Sequence, residues 1–172
     1  MRNKTPDTWQ NTITGKIDAN FDLGDAEQTL YASLLKVAKR EGARKLILRD
    51  TAGNPKTSDM AYGKLLTFTN ILAAKLVNLT KPGERVGVMM PNVNAAVAVF
   101  FALSKLGRVP AMIPFIVAPE NAESCCQTAG VKTLITARSF LEKAADQGNH
   151  QPSHICTQLK KTGMDIVYLD NL

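Results

Sequence analysis

Residues 81–115, KPGERVGVMMPNVNAAVAVFFALSKLGRVPAMIPF, set apolar runs between turn residues in an order that decides the fold. Pro82-Gly83 forms an opening turn, because Pro fixes φ and Gly tolerates positive φ. Val86 to Met90 is a short apolar run without polar alternation, as expected of a strand covered on both faces. Pro91-Asn92 ends it, and Asn92 or Asn94 is placed to cap the helix that follows. That helix runs through Leu106 and stops at Gly107, with Lys105 facing the negative end of its dipole. Val109 to Ile113 reads as a second buried strand. Strand, helix and strand within about thirty residues make a βαβ unit, whose crossover is nearly always right-handed.

One rival reading uses the same residues. Val86 to Ser104 carries no charged side chain and is long enough to span a bilayer. Pro91, Asn92 and Asn94 near its middle, and Gly87 in its front half, oppose that, because polar groups are costly in hydrocarbon. The buried crossover is the better account.

Upstream, residues 1–24 are polar and lack periodicity, and read as a flexible lead-in; residues 25–172 form one α/β unit. Asp25 with Gln28 suggests a helix start, and Leu30, Leu34, Val37 and Ala38 put an apolar face on a helix from Glu27 to Arg40. Leu46 to Leu48 is a short strand, Asp50 to Pro55 a turn, and Thr57 to Ala61 a hairpin return. Leu65, Phe68, Leu72, Leu76 and Leu79 recur at helical spacing from Tyr62 to Asn78. Downstream, Pro119 suits a first helical turn, Glu120 and Glu123 favour its positive end, and Gly130 closes it. Val131 to Thr136 is a third strand. Ser139 with Glu142 suggests a capping box for a helix to about Ala145. Residues 146–153 read as loop, followed by a helix to Lys161 and a fourth strand, Ile166 to Leu169. The alternation predicts a doubly wound, mainly parallel sheet with helices on both faces. A chain stopping just after such a strand reads as truncated at its C-terminal end.

A length of 172 residues suits one domain, or one and a piece. Cys125, Cys126 and Cys156 are odd in number, two of them adjacent, which argues against a disulfide framework and for a reducing compartment. No apolar leader opens the chain, so the expected location is cytoplasmic. The net charge of +6 gathers partly at Lys36, Lys39, Arg40, Arg44, Lys45 and Arg49. Solvated helix faces explain it best; the sharper reading is a surface for anionic lipid, giving peripheral contact with the inner membrane, or for an acidic carrier protein. Aromatics are not interleaved with these charges, so no nucleic-acid partner is expected.

In open α/β sheets the ligand crevice lies beyond the carboxyl ends of the strands. The substrate-binding candidates are therefore Pro91, Asn92, Pro114 and Phe115. Asn92 is explained equally well as a helix cap, Phe115 as core packing, and Asp170 as a solvated terminus. No phosphate-binding glycine pattern exists, since the glycines come no closer than Gly83 and Gly87. His150, His154 and Cys156 suggest a metal site, but Pro152 lies between the histidines and no second ligand pair is near, so a polar loop is expected and no metal. Cys125-Cys126 lies in a helix with Glu120 and Glu123, without a cation to stabilise a thiolate. No catalytic residue can be assigned.

Four segments carry a resemblance: TSDMAYGKLLTFTNILAAKL, KPGERVGVMMPN, FFALSKLGRVPAMIPF and PENAESCCQTAGVKTLITA. Together they resemble the N-terminal region of the acyl-adenylate-forming enzymes, the AMP-dependent synthetases and ligases that include acyl-CoA synthetases. Gly83-Glu84-Arg85-Val86 and Pro91-Asn92 match that superfamily's pattern. The GRVPAM form, with Leu134 to Lys143, looks most like the acyl-carrier-protein synthetase part of bacterial bifunctional 2-acylglycerophosphoethanolamine acyltransferases.

The resemblance implies a fragment of a fatty-acid-activating ligase that is inactive alone and binds no cofactor by itself. It implies ATP and Mg for the full-length enzyme. The implied partners are the remainder of the synthetase chain, a fatty acid, and acyl carrier protein or CoA, with homo-oligomers allowed. A stand-alone α/β binding or scaffold module without catalysis remains the alternative.

Overall fold

The computed structural model of this chain describes residues 28–49 and 59–172. The expected lead-in, Asp25 and the turn at residues 50–55 lie outside the described residues. Helix α1 (Leu30–Glu41) starts later than its periodicity predicts, because Thr29 rather than an acidic residue caps it. The Thr29 hydroxyl accepts from the Ala32 amide at 3.2 Å. Strands β1 (Leu46–Arg49) and β2 (Asp59–Ala61) pair antiparallel, as the predicted hairpin requires. Helix α2 (Tyr62–Leu76) follows directly.

The main sheet is parallel throughout. Strands β3 (Arg85–Val88), β4 (Val109–Met112), β5 (Thr133–Thr136) and β6 (Asp165–Tyr168) lie in the order β4-β3-β5-β6. Helix α3 (Asn94–Lys105) connects β3 to β4, and α4 (Pro119–Ala129) connects β4 to β5. Helices α5 (Arg138–Asp146) and α6 (Gln151–Lys161) connect β5 to β6. The fold is therefore the expected doubly wound α/β arrangement.

Two cores result from the strand period of two. Val86, Val88, Met90 and Ile135 pack with Ala73 and Leu76 of α2 and Val99, Ala102 and Leu103 of α3. Met89 and Leu134 face the other way, against Ala122 and Cys126 of α4 and Ile155, Cys156 and Leu159 of α6. Each fully buried Val, Leu or Ile contributes about 1.5–3 kcal/mol. Gly87 sits between these layers for a packing reason. A Cβ there would meet Leu134 Cδ1 at 2.8 Å and Val131 Cγ1 at 3.1 Å.

Several expectations need correction. Strand β4 is an edge strand, not a buried one: Val109 is 50% and Met112 55% exposed. Neither Asn92 nor Asn94 caps α3; Val93 is the N-cap and Asn94 the first helical residue. Ser139 and Glu142 form no capping box, because Ala137 is the N-cap and supplies no side chain to the helix amides. Helix α6 begins at Gln151, inside the segment expected to be loop, with Pro152 in its first turn. Among the described residues no helix is long and apolar enough to cross a membrane. The apolar stretch that invited that reading is split between β3 and α3.

Candidate functional site

The chain leaves β3 for β4 on one side and reaches β5 on the other, so the connections diverge between β3 and β5. An open parallel sheet binds ligands at this switch point, where the two outgoing loops leave a gap. A crevice of about 780 Å³ opens there. Met90, Pro91 and Val93 come from the end of β3, Ala137, Ser139 and Phe140 from the end of β5, and Leu169 and Asp170 from the end of β6.

Pro91 and Phe115 thus line the crevice, whereas Asn92 and Pro114 do not. Asn92 is exposed beside the start of α3. Phe115 also packs, edge to face, on Phe140, with ring centroids 5.1 Å apart and planes at 72°. Its core and pocket readings therefore hold together. The periodicity of α5 conceals the other wall: Ser139, Lys143 and Gln147 recur every four residues beside Phe140 and Ala144. Four-residue spacing places each set on one stripe, so α5 offers the crevice a polar edge next to an apolar one. Of the lining residues only Lys143 is cationic and only Asp170 acidic.

Asp170 is not a merely solvated terminus. The Arg138 amide donates to its Oδ2, and Ser139 Oγ donates to its Oδ1 at 2.7 Å. Partial burial pushes the carboxyl up. The hydrogen bonds from Ser139 Oγ and from the amides of Arg138, Asp170 itself and Ser139 outweigh that, so it sits below its ordinary value. Asp170, two residues beyond β6, thereby caps α5 and fixes one wall of the crevice.

Nothing among the described residues fits a nucleoside triphosphate with its metal. Gly83 and Gly87 lie in a turn and inside β3, and Gly87 is required by packing. No group of three or more His, Cys, Asp or Glu that could hold a metal occurs among the described residues. Cys126 and Cys156 are buried, which pushes both thiols up to about 11, while Cys125 is exposed.

The family model for AMP-binding enzymes matches residues 35–170, which include every strand of the main sheet. The chain belongs to the AMP-binding enzyme family. Solved structures agree at the level of fold. VinN is 21% identical with a TM-score of 0.64, covering 84% of this chain and 32% of VinN. Coronafacic acid ligase from Pectobacterium brasiliense is 16% identical with a TM-score of 0.65, covering 83% and 26%. The N-terminal domain of FACL13 from Mycobacterium tuberculosis is 22% identical with a TM-score of 0.61, covering 83% and 34%. This member of the AMP-binding family therefore spans about a quarter to a third of the length of these structures.

Proposed function

We propose that this chain is the first portion of a fatty-acid-activating, acyl-adenylate-forming ligase, inactive alone, with the switch-point crevice facing the apolar part of the carboxylate substrate. In the complete enzyme ATP and Mg activate the carboxylate, and a thiol of acyl carrier protein or CoA receives the acyl group. The GRVPAM stretch supports the finer assignment to a carrier-protein synthetase linked to lysophospholipid acylation. The observation that carries the reading is the crevice itself. Its walls are Met90, Pro91, Val93, Phe115, Phe140 and Leu169, beside the polar stripe that α5 supplies.

Substrate class separates this reading from its neighbours, since VinN has been crystallised with L-aspartate. A small dipolar acid needs several fixed charged partners, whereas this crevice offers Lys143 and a carboxylate already engaged by Arg138 and Ser139. The test is carboxylate-dependent ATP–pyrophosphate exchange by this chain alone and joined to the rest of a family enzyme. Medium- and long-chain fatty acids, L-aspartate and aryl acids form the panel. We expect no exchange by the chain alone, and exchange with fatty acids by the joined enzyme. Exchange by the isolated chain, or a preference for L-aspartate, overturns the proposal.

A further inference from the structure

His150 and His154 are used neither by the crevice nor by either core. The sequence argues against their acting together, because Pro152 between them signals a break. The structure removes that objection. Pro152 is the second residue of α6, where an amide would have no intrahelical partner, so its missing N–H costs nothing. The His154 amide donates to the His150 carbonyl at 3.0 Å, so the helical turn runs unbroken from one to the other. Residues four apart share a helix face. The two rings lie side by side, with centroids 6.4 Å apart and planes 26° from parallel. Both histidines are exposed, and among the described residues neither takes part in an ion pair.

We propose that His150 and His154 form a two-nitrogen site for a borderline-soft divalent transition metal: Zn²⁺, Ni²⁺ or Cu²⁺. With metal–nitrogen bonds of 2.0–2.1 Å, two imidazoles on one ion have centroids about 5 Å apart at a tetrahedral angle and about 6.5 Å apart when that angle opens fully. At 6.4 Å the two rings stand farther apart than a tetrahedral pair on one ion, so both side chains must also turn to bring a nitrogen to a common point. About an ångström of closure by side-chain rotation reaches the tetrahedral arrangement, and exposed rings are free to make it. Imidazole selects these metals over Mg²⁺ and Ca²⁺, which require oxygen donors.

Two features set the strength. The positive end of the α6 dipole opposes a cation and weakens binding a few-fold. The described residues supply no cluster of three or more ligating groups, so the remaining positions go to water or to a donor on an incoming molecule. Half the donor set of a four-ligand zinc site corresponds to a Kd of about 1–200 µM. Asn149, which precedes His150, lines the crevice, so the site adjoins the crevice rim along the chain.

The experiment is a calorimetric titration of the full chain with ZnCl₂ and NiCl₂, in a Cys125→Ser background that removes the exposed thiol as a competing ligand. Histidine ring resonances followed by NMR report the site directly. We expect one equivalent bound in the micromolar range, no response to Mg²⁺, and at least tenfold weaker binding in both His150→Gln and His154→Gln. Unchanged far-UV circular dichroism verifies that both variants fold. Unchanged affinity in either variant, or no saturable binding up to 1 mM, overturns the site. Neither outcome bears on the ligase reading, which is tested by exchange activity.

Discussion

Ser139 Oγ donates to Asp170 Oδ1 at 2.7 Å, fastening the end of β6 to the first turn of α5. The same carboxylate accepts the Arg138 amide, so one acid satisfies helix donors that no local side chain reaches. Asp170→Ala is expected to cost about 1 kcal/mol at neutral pH, the usual loss for a helix cap. The carboxyl is held below its unfolded value, so its contribution is present above about pH 4 and fades as pH falls through the lower folded value. Urea midpoints of wild type and Asp170→Ala should therefore differ at pH 7 and converge as the pH falls below the ordinary carboxyl value and through the lower folded one. A constant difference across that range rejects the ionised cap.

Arg108 supports the opposite end of the fold. It is 7% exposed, and it donates to the Thr80 carbonyl at 2.6 Å, to Thr80 Oγ1 at 3.1 Å, to the Val77 carbonyl at 3.3 Å and to the Leu106 carbonyl. These carbonyls lie just beyond α2 and α3, where helix ends leave acceptors without intrahelical partners. Arg108→Lys keeps the charge but loses the planar fork that serves several carbonyls at once. A loss of about 2–4 kcal/mol is expected, close to that of Arg108→Met, because either change leaves buried acceptors unsatisfied. Chemical denaturation of both variants is the check, and a lysine variant as stable as wild type refutes the clamp.

The legible parts of this fold are those that local patterns determine. The apolar runs at Val86 and Leu134 announce strands, Pro119 and Gly130 announce the ends of α4, and strand ends point to Pro91 and Phe115. Edge status is a property of strand order, which is why the apolar run at Val109 reads as buried until the sheet places it. The α5 cap is invisible for a related reason: Asp170 and Arg138 are 32 residues apart, while Ser139 and Glu142 offer a plausible local box that is not used. The α5 wall of the crevice is hidden too, since Ser139 reads as a helix cap and no local pattern singles out Lys143. Arg108 did carry a signal, a lone cation between Gly107 and an apolar run. Its carbonyl partners at Val77 and Thr80 lie 31 and 28 residues away, so the local pattern assigns it no role.

Gly87 and Gly83 separate two reasons for glycine within five residues of chain. At Gly87 the obstacle is space, since an added Cβ would approach Leu134 and Val131 inside normal contact distance. Overpacking of that kind costs about 1–3 kcal/mol. At Gly83 there is nothing within 4 Å, but φ is +75°, which costs an L-residue roughly 1–2 kcal/mol. Gly83→Asn should recover part of the Gly83→Ala loss, because Asn tolerates positive φ, whereas Gly87→Asn should be worse than Gly87→Ala. Thermal melts of the four variants decide it, and the reverse order at either site contradicts the assignment.

The three thiols should divide by burial rather than by position in sequence. Cys125 and Cys126 are neighbours, yet only Cys125 is exposed. Burial raises the Cys126 thiol to about 11, with the Cys125 charge adding to it. Burial likewise raises Cys156 to about 11, against a smaller opposing effect of Lys160. A thiol reacts as its thiolate, so at pH 8 one group per chain should be modified rapidly by a disulfide reagent and the other two only after unfolding. The linkage sign follows: because folding raises both values, their stabilising contribution is full below about pH 8.5 and is lost as pH climbs toward 11. Wild type should therefore lose stability over that alkaline interval, and a double Cys126→Ala, Cys156→Ala variant should lose less. Rapid modification of two or three thiols at pH 8 in the folded chain rejects the buried placement of Cys126 and Cys156.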